Sequence, residues 1–314
     1  MPTLKEIKGR IGSDKSTLKI TSAMKQVSSV KLRKAQNAIE AMRPYEAQLQ
    51  AILAAVSGSS ASADTQTGVT VSEWPENSGA GTKEGVSVSG RRVIIAIASN
   101  SSLCGGFNAN VIAKVRSIRQ PGDVVYSVGR KMADAMRKDG FLSPADFTTL
   151  SEHPVYAPCA QLVEQLMADE SLSQVLLVYN HFVSTAKQVP VVEVLLPYDT
   201  SMVVGDTLSG AFARTGSRSD AEERESLPTE SDFIIEPGAK ALREILIPKT
   251  LKLKLYAALL DSAAAEHAAR TVAMQTATDN GNNLLDELTL QYNKGRQQKI
   301  TSEILDLAGG QIDA

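Results

Sequence analysis

Tryptophan occurs once, cysteine twice and histidine three times in these 314 residues, and aromatic side chains make up only 4% of them. Two thiols, Cys104 and Cys159, cannot form the disulfide framework of a small secreted domain. His153, His181 and His267 stand apart from one another and from any cysteine pair, so no zinc-ligand spacing can be built and no cofactor is expected. Long apolar runs are also missing. The longest, at 93–98 and 191–197, have the length of strands, and the alanine-rich C-terminal stretch is interrupted by Asp261 and Glu266, which excludes a transmembrane helix. The opening MPTLKEIKGR lacks the apolar centre of a signal peptide, so a reducing cytoplasm is the expected setting. What the chain does have is a 43% apolar content, enough for a real core.

The formal net charge of −2 conceals a segregation. Residues 1–43 carry a net of +7, residues 44–248 a net of −8, and residues 249–314 a net of −1. A basic end of this size calls for an acidic partner surface, and the charge alone does not choose among nucleic acid, anionic lipid and protein. The basic segment has no aromatic interleaving for stacking on bases, which argues against nucleic acid.

Alternating steps of three and four from Leu4 to Val56 define sixteen positions, of which eleven are apolar. This spacing predicts a coiled-coil helix over 1–56, roughly 80 Å long at 1.5 Å per residue. Four of the five polar hits, Asp14, Thr21, Lys25 and Ser28, fall close together, and there Ile20, Met24, Val27 and Val30 carry the apolar stripe to a neighbouring face. That face should meet something other than the coil partner. Pro44 predicts a kink near 40–44. Residues 57–90, rich in Ser, Gly, Thr and acids, read as a loose linker with Trp74 as an exposed loop residue.

From 91 the rhythm changes. Apolar runs at 93–98, 124–128, 175–179 and 189–196 alternate with helical patterns near 107–119, 130–138 and 158–170, predicting a Rossmann-like α/β domain over 91–236. Within it, 205–231 reads as an inserted surface loop. Helical patterning resumes over 237–314, with a break or kink at Pro248 and with small residues (Ala257, Ala263, Ala264, Ala268, Ala277, Gly281, Gly295) placed to let another helix approach closely. The expected fold is α/β plus a long antiparallel two-helix coiled coil formed by the N- and C-terminal helices, with one end of the rod projecting from the domain.

Catalytic chemistry finds little support. The loop SNSSLCGGFNAN (99–110), between a strand and a helix, fits neither G-x-G-x-x-G nor G-x-x-x-x-G-K-[ST], and close packing around Gly105 and Gly106 is the better reading. Cys104 has no histidine partner placed by a motif and reads as a buried structural thiol. The acidic run at 222–225 is interleaved with Arg224 and reads as solvated surface. Composition and periodicity thus give a rod-forming coupling protein without an obvious active site.

The segments ITSAMKQVSSVKLRKAQ (20–36) and ELTLQYNKGRQQKITSEILDLAGG (287–310) resemble the gamma-subunit family of F-type ATP synthases. SLCGGFNANV (102–111), VLLVYNHFVS (175–184) and AAAEHAARTVAMQTATDN (263–280) are also similar to it, so the resemblance spans the chain apart from the two loose stretches. It implies a non-catalytic central-stalk rotor. The paired terminal helices would form a shaft inside a ring of alpha and beta subunits, and the α/β domain would be a foot on the membrane c-ring that also binds the epsilon subunit. Proton flow would turn ring and shaft and drive ATP synthesis, and hydrolysis would drive the reverse. The chain would be peripheral, on the cytoplasmic face of a bacterial inner membrane.

The resemblance also implies partner contacts. Met24 and Lys25 match its Ala-Met-Lys motif, Arg270 its Glu-x-Ala-Ala-Arg motif, and Arg296, Gln297 and Thr301 its Arg-Gln-x-x-Ile-Thr motif, all facing the alpha/beta ring. Phe233 and Glu236, in FIIEPGAK (233–240), match the segment resting on the c-ring. A sliding shaft is served by a few charge-assisted hydrogen bonds, each about 1.5–3 kcal/mol, that form and break at every step. Three departures stand out. The usual Asp-Arg/Lys-Gly ahead of Leu-Cys-Gly is Asn100-Ser101-Ser102 here, the tail ends in Asp313 and Ala314, and the 205–231 loop has no cysteine for a thiol switch. Asp313 would be costly to bury unpaired, so the last residues should lie loosely or against a polar wall. Two other readings remain: a small-molecule α/β enzyme using the 99–110 loop, and a coiled-coil adaptor that docks residues 1–56 on acidic membranes.

Overall fold

A computed structural model describes residues 3–63, residues 91–198 apart from 142, 146, 153 and 170, and residues 238–309. Trp74, the 205–231 stretch, Phe233, Glu236 and Asp313 lie outside the described residues. The two longest elements are helix α1 (Leu4–Ala63) and helix α6 (Ala239–Gly309). Two compact units are formed, one from Met1–Val30 with Arg270–Ala314 and the other from Lys31–Ala269.

In the first unit α1 begins with a capping box: the Glu6 amide donates to Thr3 Oγ1 at 3.3 Å and the Thr3 amide donates to Glu6 Oε2 at 2.9 Å. The pairing with α6 is antiparallel. A Cβ added at Gly295 would lie 3.1 Å from Leu4, one at Gly281 would lie 2.7 Å from Leu18, and the Thr278 hydroxyl donates to Thr21 at 3.0 Å, so partners descend along α6 as they climb along α1. All the heptad positions of α1, polar ones included, are buried or half-buried. On α6 the shielded set includes Met274, Thr278, Gly281, Leu285, Leu288, Tyr292 and Gly295, again in alternating steps of four and three. Ala277 is a correction to the expected set of small contact residues: it falls between these positions and points to solvent.

The second unit is built on a mixed four-stranded sheet of β1 (Arg91–Ile97), β2 (Val124–Val128), β3 (Leu172–Phe182) and β4 (Gln188–Leu196) in the order β2-β1-β3-β4. β1 runs parallel to β2 and β3, while β3 and β4 are antiparallel. Helices α2 (Phe107–Ile118) and α3 (Arg130–Lys138) cover one face, where Ile94, Ala96, Val111, Val115, Met132 and Met136 pack together. The other face is covered by α5 (Tyr156–Ala168), the short α4 (Thr148–Glu152) and α6, with Ile95, Leu162, Leu177, Leu251 and Leu255 among the buried residues. Burial from both sides explains why the central strand is a continuous apolar run rather than an alternation. Each leucine so buried contributes roughly 1.5–3 kcal/mol.

In the same unit α1 packs Leu32 and Ile39 against Leu260, Ala264 and Ala268 of α6, and Leu49 and Leu53 against Leu246 and Leu253. Pro44 and Pro248 both lie inside their helices and end neither. The carbonyls they deprive of a donor belong to Glu40 and Glu244, both exposed residues, so water can replace the missing bond.

Candidate functional site

The sequence-predicted ring residues fall into two groups on the first unit. In one, Met24 and Lys25 are half-buried in the seam, and the Lys25 ammonium donates to Gln275 Oε1. Gln275 in turn donates to both oxygens of Asp279, at 2.7 and 2.9 Å. Arg270, five residues before Gln275 on α6, is only 9% exposed. The other group, Arg296, Gln297 and Thr301, is exposed and lies about 30 Å further along α6 at 1.5 Å per residue. The Thr301 hydroxyl is turned back on its own helix, donating to Gln297 O at 2.9 Å. Gln275 and Asp279 escaped sequence reasoning, because a glutamine and an aspartate on a helix surface carry no signal of their own.

The apolar stripe that leaves the seam is open, with Ile20 at 60%, Val27 at 56% and Val30 at 72% exposure. Beyond Gly295, which already faces Leu4 at the start of α1, α6 also exposes Ile300, Ile304, Leu305 and Leu307. Large apolar side chains left in water at this density mark a surface that awaits a partner.

The 99–110 loop is occupied by its own contacts. Asn108 Oδ1 accepts from the Ser99 amide at 3.1 Å, and its Nδ2 donates to Cys104 Sγ at 3.1 Å, while the Phe107 and Asn110 amides reach Cys104 O and Gly106 O. Amides turned inward in this way do not cradle a phosphate. Gly105 has φ +57, which favours glycine, but a Cβ at Gly106 would meet nothing closer than 3.5 Å, so the close packing expected at Gly106 is not found. Leu103 has φ +68 and 60% exposure. Asn100, which departs from the Asp usual at this point of the resembled motif, uses both ends of its amide: Nδ2 donates to Thr148 O at 2.8 Å and Oδ1 accepts from the Arg130 amide at 2.9 Å. A carboxylate there has no donor for Thr148 O. Both thiols are buried, and burial pushes the Cys159 thiol up to about 12, well away from thiolate reactivity.

Buried charge concentrates where α6 crosses β3 and β4. Asp261, 1% exposed, has Oδ2 2.6 Å from His181 Nδ1 and accepts the Phe182 amide on Oδ1 at 3.1 Å. Burial raises the Asp261 carboxyl above its usual range, and the His181 contact opposes that rise. Nearby, the Tyr179 hydroxyl donates to Glu193 Oε1 at 2.8 Å, and Lys254 Nζ lies 3.4 Å from Glu193 Oε2. No group of residues suited to hold a metal ion occurs among the described residues, and no helix among them is long and apolar enough to cross a membrane.

An antiparallel helix pair with an open apolar stripe in one unit, and in the other a phosphate-turn candidate closed by its own hydrogen bonds, define a protein that works by being gripped: a coupling subunit. The family profile described as ATP synthase matches residues 3–312, and the chain belongs to the ATP synthase gamma chain family, whose members are non-catalytic subunits of that complex. The ATP synthase gamma chain of Phocaeicola vulgatus is 42% identical over 322 residues, covering 99% of this chain and 100% of that one. That of Christiangramia forsetii is 36% identical, covering 99% and 98%. Among solved structures, a Euglena gracilis mitochondrial ATP synthase chain in an OSCP/F1/c-ring structure superposes with a TM-score of 0.63 at 18% identity, covering 98% of this chain and 93% of that one. Another, in the rotor of the same enzyme, gives 0.59 at 19% identity, covering 95% and 98%. At such identities the likeness is one of fold.

Proposed function

We propose that the chain is the central-stalk rotor subunit of an F-type ATP synthase, transmitting torque between a c-ring and a catalytic ring of alpha and beta subunits and binding an epsilon subunit at its foot. The observation that carries this reading is the antiparallel hairpin with its unpartnered stripe of Ile20, Val27 and Val30, together with family membership over residues 3–312. In this reading Met24, Lys25, Arg270, Arg296, Gln297 and Thr301 contact the alpha/beta ring, and Phe233 and Glu236 contact the c-ring. Residues 1–56 and 237–314 supply the shaft, and 91–236 the foot. The protein is peripheral to the cytoplasmic face of a bacterial inner membrane, in keeping with the bacterial relatives it matches.

The test is assembly. The isolated chain should hydrolyse no ATP, while mixing it with alpha and beta subunits should yield a complex with steady hydrolysis. A chain that does not co-purify with those subunits is not a central stalk.

A further inference from the structure

We propose that Lys254 and Asp261 form a two-point clamp by which α6 takes up torque from the sheet, an inference that rests on the rotor reading above. The two residues are seven apart, two turns of helix, and so lie on one side of α6. They carry opposite charges and land on different strands. Asp261 is fixed at the end of β3 by His181 Nδ1 at 2.6 Å and the Phe182 amide at 3.1 Å. Lys254 donates to Val194 O of β4 at 3.2 Å and lies 3.4 Å from Glu193 Oε2, whose partner oxygen is held by Tyr179 of β3. Val194 pairs with Leu176 across the ladder, five residues before His181 along β3, so the two anchors are spread along one hydrogen-bonded strand pair.

Between the anchors the contact is apolar, through Leu255, Ala258 and Leu259. Such packing holds a helix down but indexes it weakly, because dispersion and burial have no preferred direction and alanine leaves shallow ridges. A buried carboxylate is different. Rotation or sliding of α6 would strip Asp261 of both donors in a site with 1% exposure, and the same motion would pull Lys254 from its carbonyl. The chain enters and leaves the described strands through 64–90 and 199–237, so contacts of this kind are where the sheet can turn the helix directly.

The assembled ATP synthase containing this chain, reconstituted in sealed vesicles, gives the readout as ions pumped per ATP hydrolysed, with helicity and melting of the isolated chain measured in parallel. Lys254→Met, and Lys254→Met combined with Asp261→Asn, should leave hydrolysis within about twofold of the starting protein, while pumping per ATP falls about twofold in the single variant and about fivefold or more in the double. Lys254→Arg, which keeps a donor for both oxygens, should pump normally. Unchanged pumping per ATP in the double variant overturns the clamp. So does a parallel loss of hydrolysis, pumping and helicity, which would mean a fold-holding role only. An unaltered chain that supports no pumping at all would instead defeat the rotor reading, and the clamp with it.

Discussion

Gly129 and Glu46 show how individual residues set limits on this fold. Gly129 has φ +95, and a Cβ there would lie 2.2 Å from Ala98 O, so backbone meets backbone with nothing soft to yield. Gly129→Ala should therefore lower stability by about 3 kcal/mol or more, read as a fall in melting temperature. Glu46 is 9% exposed, and burial, aided by repulsion from Glu193 and opposed by Arg43 and Lys254, raises its carboxyl above the usual range. The folded state then holds a proton that the unfolded state has released, so this group costs stability as pH rises from the ordinary carboxylate range through the raised folded value. Glu46→Gln, which keeps the shape, should raise stability at neutral pH and flatten the fall in stability as pH climbs above the ordinary carboxylate range, as read from melts across pH.

At the scale of elements, the α1 seam is the part most legible in the sequence. Eleven of its sixteen heptad positions are apolar, so hydrophobic spacing finds them, and the departure of Ile20, Val27 and Val30 from that stripe could be read as an open face. On α6 hydrophobic spacing fails, because Thr278, Gly281 and Gly295 interrupt the stripe, and it was small size rather than hydrophobicity that marked Gly281 and Gly295 as seam residues. Composition also misled at Ala277, a small residue on the exposed side. Gly281→Leu should weaken the hairpin by about 1–3 kcal/mol, since Leu18 already fills the space, while Ala277→Leu should change stability by less than about 0.5 kcal/mol. Thermal melts of the two variants check this, and equal effects would refute the seam assignment. The alternation of strands and helices was readable from their apolar runs, whereas α4, five residues of TTLSE, is too short for any period to show. Of the candidate site, the family resemblance singled out Lys25, but its partner Gln275, itself bonded to Asp279, emerges only when two distant segments meet.

For the molecule as a whole, the chemistry is that of attachment. Arg296 and Gln297 are exposed, so truncating them should spare the seam and report on the ring contacts proposed for them. The double change Arg296→Ala with Gln297→Ala should lower turnover of the assembled complex several-fold while shifting the isolated chain's melting by no more than about 0.5 kcal/mol of stability. Equal losses in both measurements would place these residues in the fold rather than at the interface. The charge division, +7 over residues 1–43 against −8 over 44–248, suits a molecule that presents different chemistries to different neighbours. The two glycines that admit Leu4 and Leu18 are fourteen residues apart, as are those leucines. Reach is thus adjustable in quanta: seven residues excised from both helices together would shorten the hairpin yet return every leucine to a glycine. Removing a single residue would swing the remainder by about 100° and leave each leucine facing the wrong neighbour.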